Sequence, residues 1–236
     1  GSGNVAKNIT AAGSHCHLIS VIGSDENGKI LKELCNLSDN LSYDLLIDPK
    51  RITTRKHRFV SGNQQILRVD SEFTDEVSLN IKTQIYNKIK SKINLFSVIV
   101  LSDYNKGVFS RDLVKKIINL AKKNKIKIIV DPKRTDFSFY RNANIITPNL
   151  KELSEAVKEG KIGSSEKNIE RLSKKILKLH NFETVITTKS SNGISIINRY
   201  SKSFHLPSKA KEVYDVSGAG DTVVAYIAVG ESKHKN

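Results

Sequence analysis

The chain has 236 residues, 38% hydrophobic and 27% charged, which is the composition of an ordinary water-soluble domain and long enough for one sizeable α/β unit. No apolar run reaches the roughly 20 residues that span a bilayer, no charged-then-apolar leader opens the chain, and a cytoplasmic protein without a membrane partner is expected. The formal charge of +15 invites a nucleic-acid reading, but the lysines are spread along helices beside Asn and Ile, and the few aromatics do not interleave with them. No nucleic-acid partner is expected.

In chain order, Gly1-Ser2-Gly3-Asn4-Val5-Ala6 leads into a short helix that stops near Ala12-Gly13. His17 to Ile22 reads as a strand, and Asp25 or Asn27 then caps a helix through Leu37. Cys16 and Cys35 form no CxxC pair and are expected as buried thiols of a reducing compartment. Thr54 to Val60 and Gln64 to Val69, flanking Ser61-Gly62-Asn63, give a hairpin signal within residues 53–70. Its cations Arg55, Lys56, Arg58 and Arg68 make it either a cover over an anionic ligand or a solvated edge.

Beyond Asp75 the pattern is regular. Helices are expected over Leu79 to Ile93, Asp112 to Lys123 and Glu166 to Leu179, with another carrying Glu152. Strands are expected at Val98 to Ser102, Ile126 to Val130, Ile145 to Thr147 and Thr184 to Thr188, with a short pair near Ile194 to Ile197 and Ser203 to Leu206. Strands alternating with helices imply a mainly parallel sheet covered on both faces, with ligands beyond the carboxyl ends of the strands. Asp103, Asp131, Asn149 and Lys189 each follow a strand, so one rim collects them. The six histidines show no metal-ligand spacing.

Val216-Ser217-Gly218-Ala219-Gly220-Asp221-Thr222 closes the pattern, followed by the apolar run Val223 to Val229, which reads as a buried helix. Small residues before a helix start free backbone N–H groups for a phosphate, and Asp221 stands where it can take a proton from an attacking hydroxyl. The plainer reading is a glycine turn with a capping Asp. For Asn149 and Glu152 the plainer reading is a capping box, and for Lys133 and Lys189 solvated lysines.

The Val216 to Thr222 stretch resembles the signature of the ribokinase-like (PfkB) carbohydrate kinases. Asn149-Leu150-Lys151-Glu152 resembles their Asn-x-x-Glu element, and Gly3-Asn4-Val5-Ala6 the end of their sugar-binding loop. Asn63 to Arg68, Leu101 to Gly107, Val130 to Lys133, Thr147 to Asn149 and Glu212 to Val216 resemble the branch that phosphorylates a heptose 7-phosphate. The resemblance implies a single ribokinase-like domain over residues 1–236 with a hairpin lid. It implies transfer from ATP, with Mg²⁺, to the anomeric hydroxyl of D-glycero-β-D-manno-heptose 7-phosphate, on the way to ADP-heptose and lipopolysaccharide. A kinase of another phosphosugar, or a non-catalytic remnant, are the alternatives.

The implied roles are Asp221 as base and Gly218, Ala219 and Gly220 as N–H donors to the moving phosphoryl group. Asn149 and Glu152 would organise Mg²⁺ and its waters, and Thr188, Lys189 and Gly193 would face the nucleotide. Asn4, Asp103 and Asp131 would meet the sugar, with Arg68, Lys106 or Lys133 at its phosphate. Two chains are expected to pair through the hairpin. Relative to the family, the domain is expected to be incomplete at both ends, lacking an opening strand and the helices over adenine, and no nucleotidylyltransferase half follows.

Overall fold

A computed structural model of the chain describes residues 1–62, 64–159, 165–208 and 218–233. Asn63, Val216, Ser217 and the stretch 212–216 singled out above lie outside the described residues.

The helices form where apolar residues recur at helical spacing behind a capping side chain. α4 (Arg111–Lys123) starts on Ser110, whose hydroxyl accepts the Leu113 N–H at 3.3 Å, and buries Leu113, Val114, Ile117, Ile118 and Ala121. Lys122 and Lys123 in its last turn complement the helix dipole. α6 (Glu166–His180) is built the same way, capped by Ser165 and burying Ile169, Leu172, Ile176 and Leu177. α3 (Leu79–Ser91) carries Ile81, Ile85 and Ile89 inward.

β5 (Val98–Ser102), β6 (Lys127–Asp131), β7 (Ile145–Ile146) and β8 (Thr184–Thr188) pair in parallel. β9 (Ile194–Asn198) and β10 (Phe204–Leu206) extend the sheet antiparallel, giving the order β10-β9-β8-β7-β6-β5. Successive residues point to opposite faces, so the sheet feeds two cores. Ile128, Val130, Ile146 and Val185 join α3, α4 and α6 on one side. Ile129, Ile145 and Ile186 join Val5 of α1 (Ser2–Ala11) and Val224, Ala225 and Ala228 of α7 (Ala219–Lys233) on the other. The sheet is mostly parallel with helices on both faces, as the sequence reading expects.

β1 (Cys16–Ile22) pairs in parallel with β2 (Leu41–Ile47), a strand absent from the sequence reading, as a two-stranded sheet beside α2 (Glu26–Asn36). The polar Ser42 and Asp44 of β2 hid it. Asp44 accepts from His17, Lys88 and Lys92, a set of contacts that exists only once β1, β2 and α3 are assembled. Asp25 caps α2, accepting the Gly28 N–H at 2.9 Å, and Cys35 is buried while Cys16 is only partly so. β3 (Arg55–Ser61) and β4 (Gln64–Ser71) form the expected hairpin as a separate sheet, with a bulge between Phe59 and Val60. α5 (Leu150–Ala156) follows β7. No helix among the described residues is long and apolar enough to cross a membrane.

Candidate active site

The carboxyl ends of β6, β7 and β8 face the first turn of α7, and a small cleft of about 60 Å³ lies between them. Asp131, Lys133, Thr147, Asn149, Glu152, Thr188, Gly220, Val223 and Val224 line it. A larger cavity of about 270 Å³ sits at the opposite rim, between Lys122, Asn144 and Arg199, and holds none of the residues expected to be functional.

α7 begins at Ala219, earlier than the apolar run implied, so Ala219, Gly220 and Asp221 form its first turn. Gly218 precedes it with φ +86°, and its carbonyl accepts the Thr222 N–H at 2.9 Å. A Cβ on Gly220 would meet nothing within 4 Å, so open space lies against the helix start. The amino-terminal end of the α7 dipole borders that space, as suits a phosphate.

Asp221 is 7% exposed. Its Oδ1 accepts the Tyr104 hydroxyl at 2.6 Å, and its Oδ2 accepts Asn4 Nδ2 at 2.7 Å and lies 3.2 Å from the Gly1 nitrogen. Burial alone would raise the carboxyl. The Tyr104 and Asn4 hydrogen bonds oppose it, and Asp221 is held below the usual carboxylate range. A carboxylate kept ionised beside a phosphate cradle can act as a base. Asn4, expected at sugar hydroxyls, is committed to that carboxylate. Tyr104 is the participant that sequence reasoning passed over, although it stands directly after Asp103.

Asp103, also expected at the sugar, is 2% exposed and fully engaged. Its Oδ1 accepts the Asn105 N–H at 2.7 Å, and its Oδ2 accepts Arg134 Nε at 2.8 Å and the Tyr140 hydroxyl at 2.6 Å. These contacts fix the loop that follows β5.

Asn149 and Glu152 do form a capping box: Asn149 Oδ1 accepts the Glu152 N–H and Glu152 Oε2 accepts the Asn149 N–H, each at 2.9 Å. Glu152 Oε1 accepts Lys133 Nζ at 2.6 Å. Lys133 thus meets Glu152 at the cleft. Asp131 lines the same cleft. Burial pushes its carboxyl up to about 7; Lys133 opposes the rise, and the Glu152 and Asp221 charges add to it. Thr188 borders Asn149 through a parallel bridge, Lys189 is buried, and Gly193 sits in the turn between β8 and β9 outside the cleft. Arg68 Nε lies 3.0 Å from Asp70 Oδ1, and Lys106 pairs with Glu72, so both remaining cations sit at the hairpin, matched by its carboxylates.

Among the described residues no group of three or more His, Cys, Asp and Glu forms a metal cage. Two carboxylates, Asp131 and Glu152, nevertheless face one cleft and repel across it. Hard oxygen donors, few in number and next to a phosphate cradle, fit Mg²⁺, which keeps several waters and shares phosphate oxygens.

An ionised carboxylate at a helix amino-terminus, on the ligand rim of an α/β sheet, is an arrangement suited to phosphoryl transfer onto a hydroxyl. The pattern of the pfkB family of carbohydrate kinases matches residues 1–236, and the chain belongs to that family of phosphotransferases. The bifunctional protein HldE of Paramagnetospirillum magneticum is 37% identical over 228 residues, 97% of this chain and 46% of that protein. HldE of Sulfurimonas denitrificans is 39% identical over 240 residues, all of this chain and 49% of that protein. The chain thus spans about half the length of these curated relatives. Phosphofructokinase-2 from Escherichia coli, solved with substrates and products, superposes with a TM-score of 0.80 at 18% identity, covering 99% of this chain and 75% of that one. Ribokinase from Giardia lamblia does so with 0.77 at 19%, covering 96% and 70%. At such identities the solved structures speak to the fold alone.

Proposed function

We propose that this chain transfers the γ-phosphoryl group of ATP to the anomeric hydroxyl of D-glycero-β-D-manno-heptose 7-phosphate, giving the 1,7-bisphosphate, in the cytoplasm. The observation that carries the reading is Asp221, ionised and held from two sides at the first turn of α7. The motif resemblance to heptose 7-phosphate kinases and the identity to HldE support the choice of substrate.

In this reading Asp221 takes the proton of the anomeric hydroxyl as that oxygen attacks the γ-phosphorus, a role typically worth ~10²–10⁴ in rate. The N–H groups at Gly218, Ala219 and Gly220 receive the charge that builds on the phosphoryl oxygens, where one donor is worth ~10²–10³. Mg²⁺, when bound, neutralises nucleotide phosphate charge. Glu152 and Asp131 would hold it through oxygens or water, while Lys133 keeps Glu152 oriented and Asn149 anchors α5. Thr188 and Lys189 lie on the nucleotide side, and the hairpin cations Arg68 and Lys106 meet the 7-phosphate. Two chains pair through their hairpins, each closing the other's site.

The test is phosphorylation of heptose 7-phosphate by the purified chain, read as ADP release and as bisphosphate by phosphorus NMR. A panel containing fructose 6-phosphate and ribose is run alongside. Preference for heptose 7-phosphate, lost on Asp221→Asn, supports the reading. Preference for another sugar phosphate reassigns the substrate, and Mg-ATP binding with no acceptor used removes the catalytic claim.

A further inference from the structure

We propose that Tyr104 is the positioning residue of the transfer base: its hydroxyl fixes the orientation of Asp221 through Oδ1, as Asn4 does through Oδ2, so that a remaining carboxylate lone pair meets the acceptor's proton. The inference rests on the reading of Asp221 as base. Its support is the amount of structure spent on the loop that presents Tyr104. Asp103, immediately before it, is buried with Arg134 and Tyr140 on one oxygen and the Asn105 N–H on the other. Arg134 is itself clamped, donating to the Phe109 carbonyl at 3.1 Å with its guanidinium 4.1 Å from the centroid of the Phe139 ring. The Asp103 N–H donates to the Asp131 carbonyl at 3.0 Å, tying the loop to the end of β6.

The backbone is constrained as well. Asn105 has φ +55°, and Gly107 has φ +72° where a Cβ would fall 1.8 Å from the Asp75 carbonyl oxygen. The Gly107 carbonyl accepts the Val77 N–H at 2.9 Å. A connection that merely leaves a strand needs neither a buried ion pair nor two left-handed residues, and such investment concentrates where a side chain must be held still. The side chain aimed from this loop at the base is Tyr104, 2.6 Å from Oδ1.

Chemically Tyr104 remains a donor. Burial first, and then the Asp221 contact, push its hydroxyl far above its ordinary value, so it keeps its proton throughout. During transfer the acceptor proton passes to Asp221 and the acceptor oxygen bonds to the γ-phosphorus. The bond to the leaving ADP breaks with its electron pair on the β-phosphate oxygen. The charged and titratable groups facing Asp221 are Tyr104 after β5, Asp131 at the end of β6 and Lys133 just beyond it. Of these, Tyr104 bonds to the carboxylate directly, and Asn4 is its neutral partner.

The experiment is Tyr104→Phe, with Tyr43→Phe as control, because the Tyr43 hydroxyl donates to Asn36 far from the cleft. Tyr104→Phe is expected to lower kcat about tenfold or more while the sugar KM moves less than about threefold, and to shift the acid limb of the kcat profile to higher pH. Tyr43→Phe is expected to match the parent. In parallel the Asp221 carboxyl is titrated by carbon-13 NMR, its resonance assigned with Asp221→Asn. The Tyr104→Phe midpoint is expected above the parent's. An unmoved midpoint overturns the proposal whatever the substrate, and so does an unchanged kcat with an unchanged acid limb. A moved midpoint in a protein inactive on heptose 7-phosphate upholds the Tyr104–Asp221 coupling and overturns the substrate reading instead.

Discussion

Gly218 and Asn4 leave each other no room: a Cβ on Gly218 would lie 2.7 Å from Asn4 Nδ2, the atom that donates to Asp221. Gly218 also has φ +86°, a conformation costing an L-residue about 1–2 kcal/mol. Gly218→Ala is therefore expected to cost at least that much stability and to lower kcat/KM by roughly 10² as Asn4 is pushed from the base. Denaturant midpoints and steady-state kinetics check it. A variant with parental kcat/KM would show that the Asn4 contact is dispensable.

Gly220, two residues on, predicts the reverse split. It has room for a methyl and sits in the first turn of α7, so Gly220→Ala is expected to hold or gain stability, by up to about 1 kcal/mol. Yet Gly220 lines the cleft, and a methyl there occupies the space assigned to the moving phosphoryl group. Turnover is expected to fall about tenfold or more in a protein that melts no lower than the parent. Retained turnover would place the phosphates elsewhere.

How far these roles were legible in the sequence differs residue by residue. The place of Asp221 at a helix start was legible because small residues, carboxylate and apolar run lie within one short stretch. α4 and α6 were legible because their apolar spacing and serine caps are local. Tyr104 was not, since its partner is 117 residues away. The partners of Asp103 were not legible, because Arg134 and Tyr140 lie 31 and 37 residues away. β2 was missed because the partners of its Asp44 lie on β1 and α3. Short-range pattern exposes what the chain decides locally, and long-range hydrogen bonds decide the rest.

Glu152 serves two ends with two oxygens, capping α5 through Oε2 and meeting Lys133 through Oε1. Gln also serves at this position of a capping box, so Glu152→Gln separates the tasks. Stability is expected to stay within about 0.5 kcal/mol of the parent, while the Mg²⁺ concentration for half-maximal activity rises about tenfold or more. Glu152→Ala is expected to lose the cap as well, at about 1 kcal/mol. Equal Mg²⁺ dependence in all three proteins would restrict Glu152 to capping.

Asp131 sets a pH dependence of stability. Its carboxyl, raised to about 7 mainly by burial, binds a proton more tightly folded than unfolded. The stability linked to it is fully present below about pH 4 and is lost as pH rises through about 7, by an amount on the order of 4 kcal/mol. Asp131→Asn removes that slope, so the variant is expected to gain on the parent as pH rises from 5 to 8. Urea denaturation of both proteins across that range checks it, and parallel curves would mean that Asp131 titrates normally. Saturating Mg-ATP is expected to flatten the parent's curve, because a bound cation favours the ionised carboxyl.

The hairpin supplies the last expectation. Phe59, Val60, Ile66, Leu67 and Val69 are each at least 45% exposed on a sheet of only two strands. A two-stranded hairpin is marginal alone, and bare apolar side chains on it favour a second surface. If that surface is the hairpin of another chain, Leu67→Asp is expected to weaken self-association roughly 100-fold by burying two charges at one symmetric contact. Sedimentation equilibrium measures this directly, and a parent that stays monomeric at high concentration rejects the pairing. Because Lys106 ties Glu72 at the hairpin base to the loop that carries Tyr104, loss of pairing is also expected to raise the sugar KM more than it lowers kcat. Equal effects on both parameters would detach the hairpin from the sugar site.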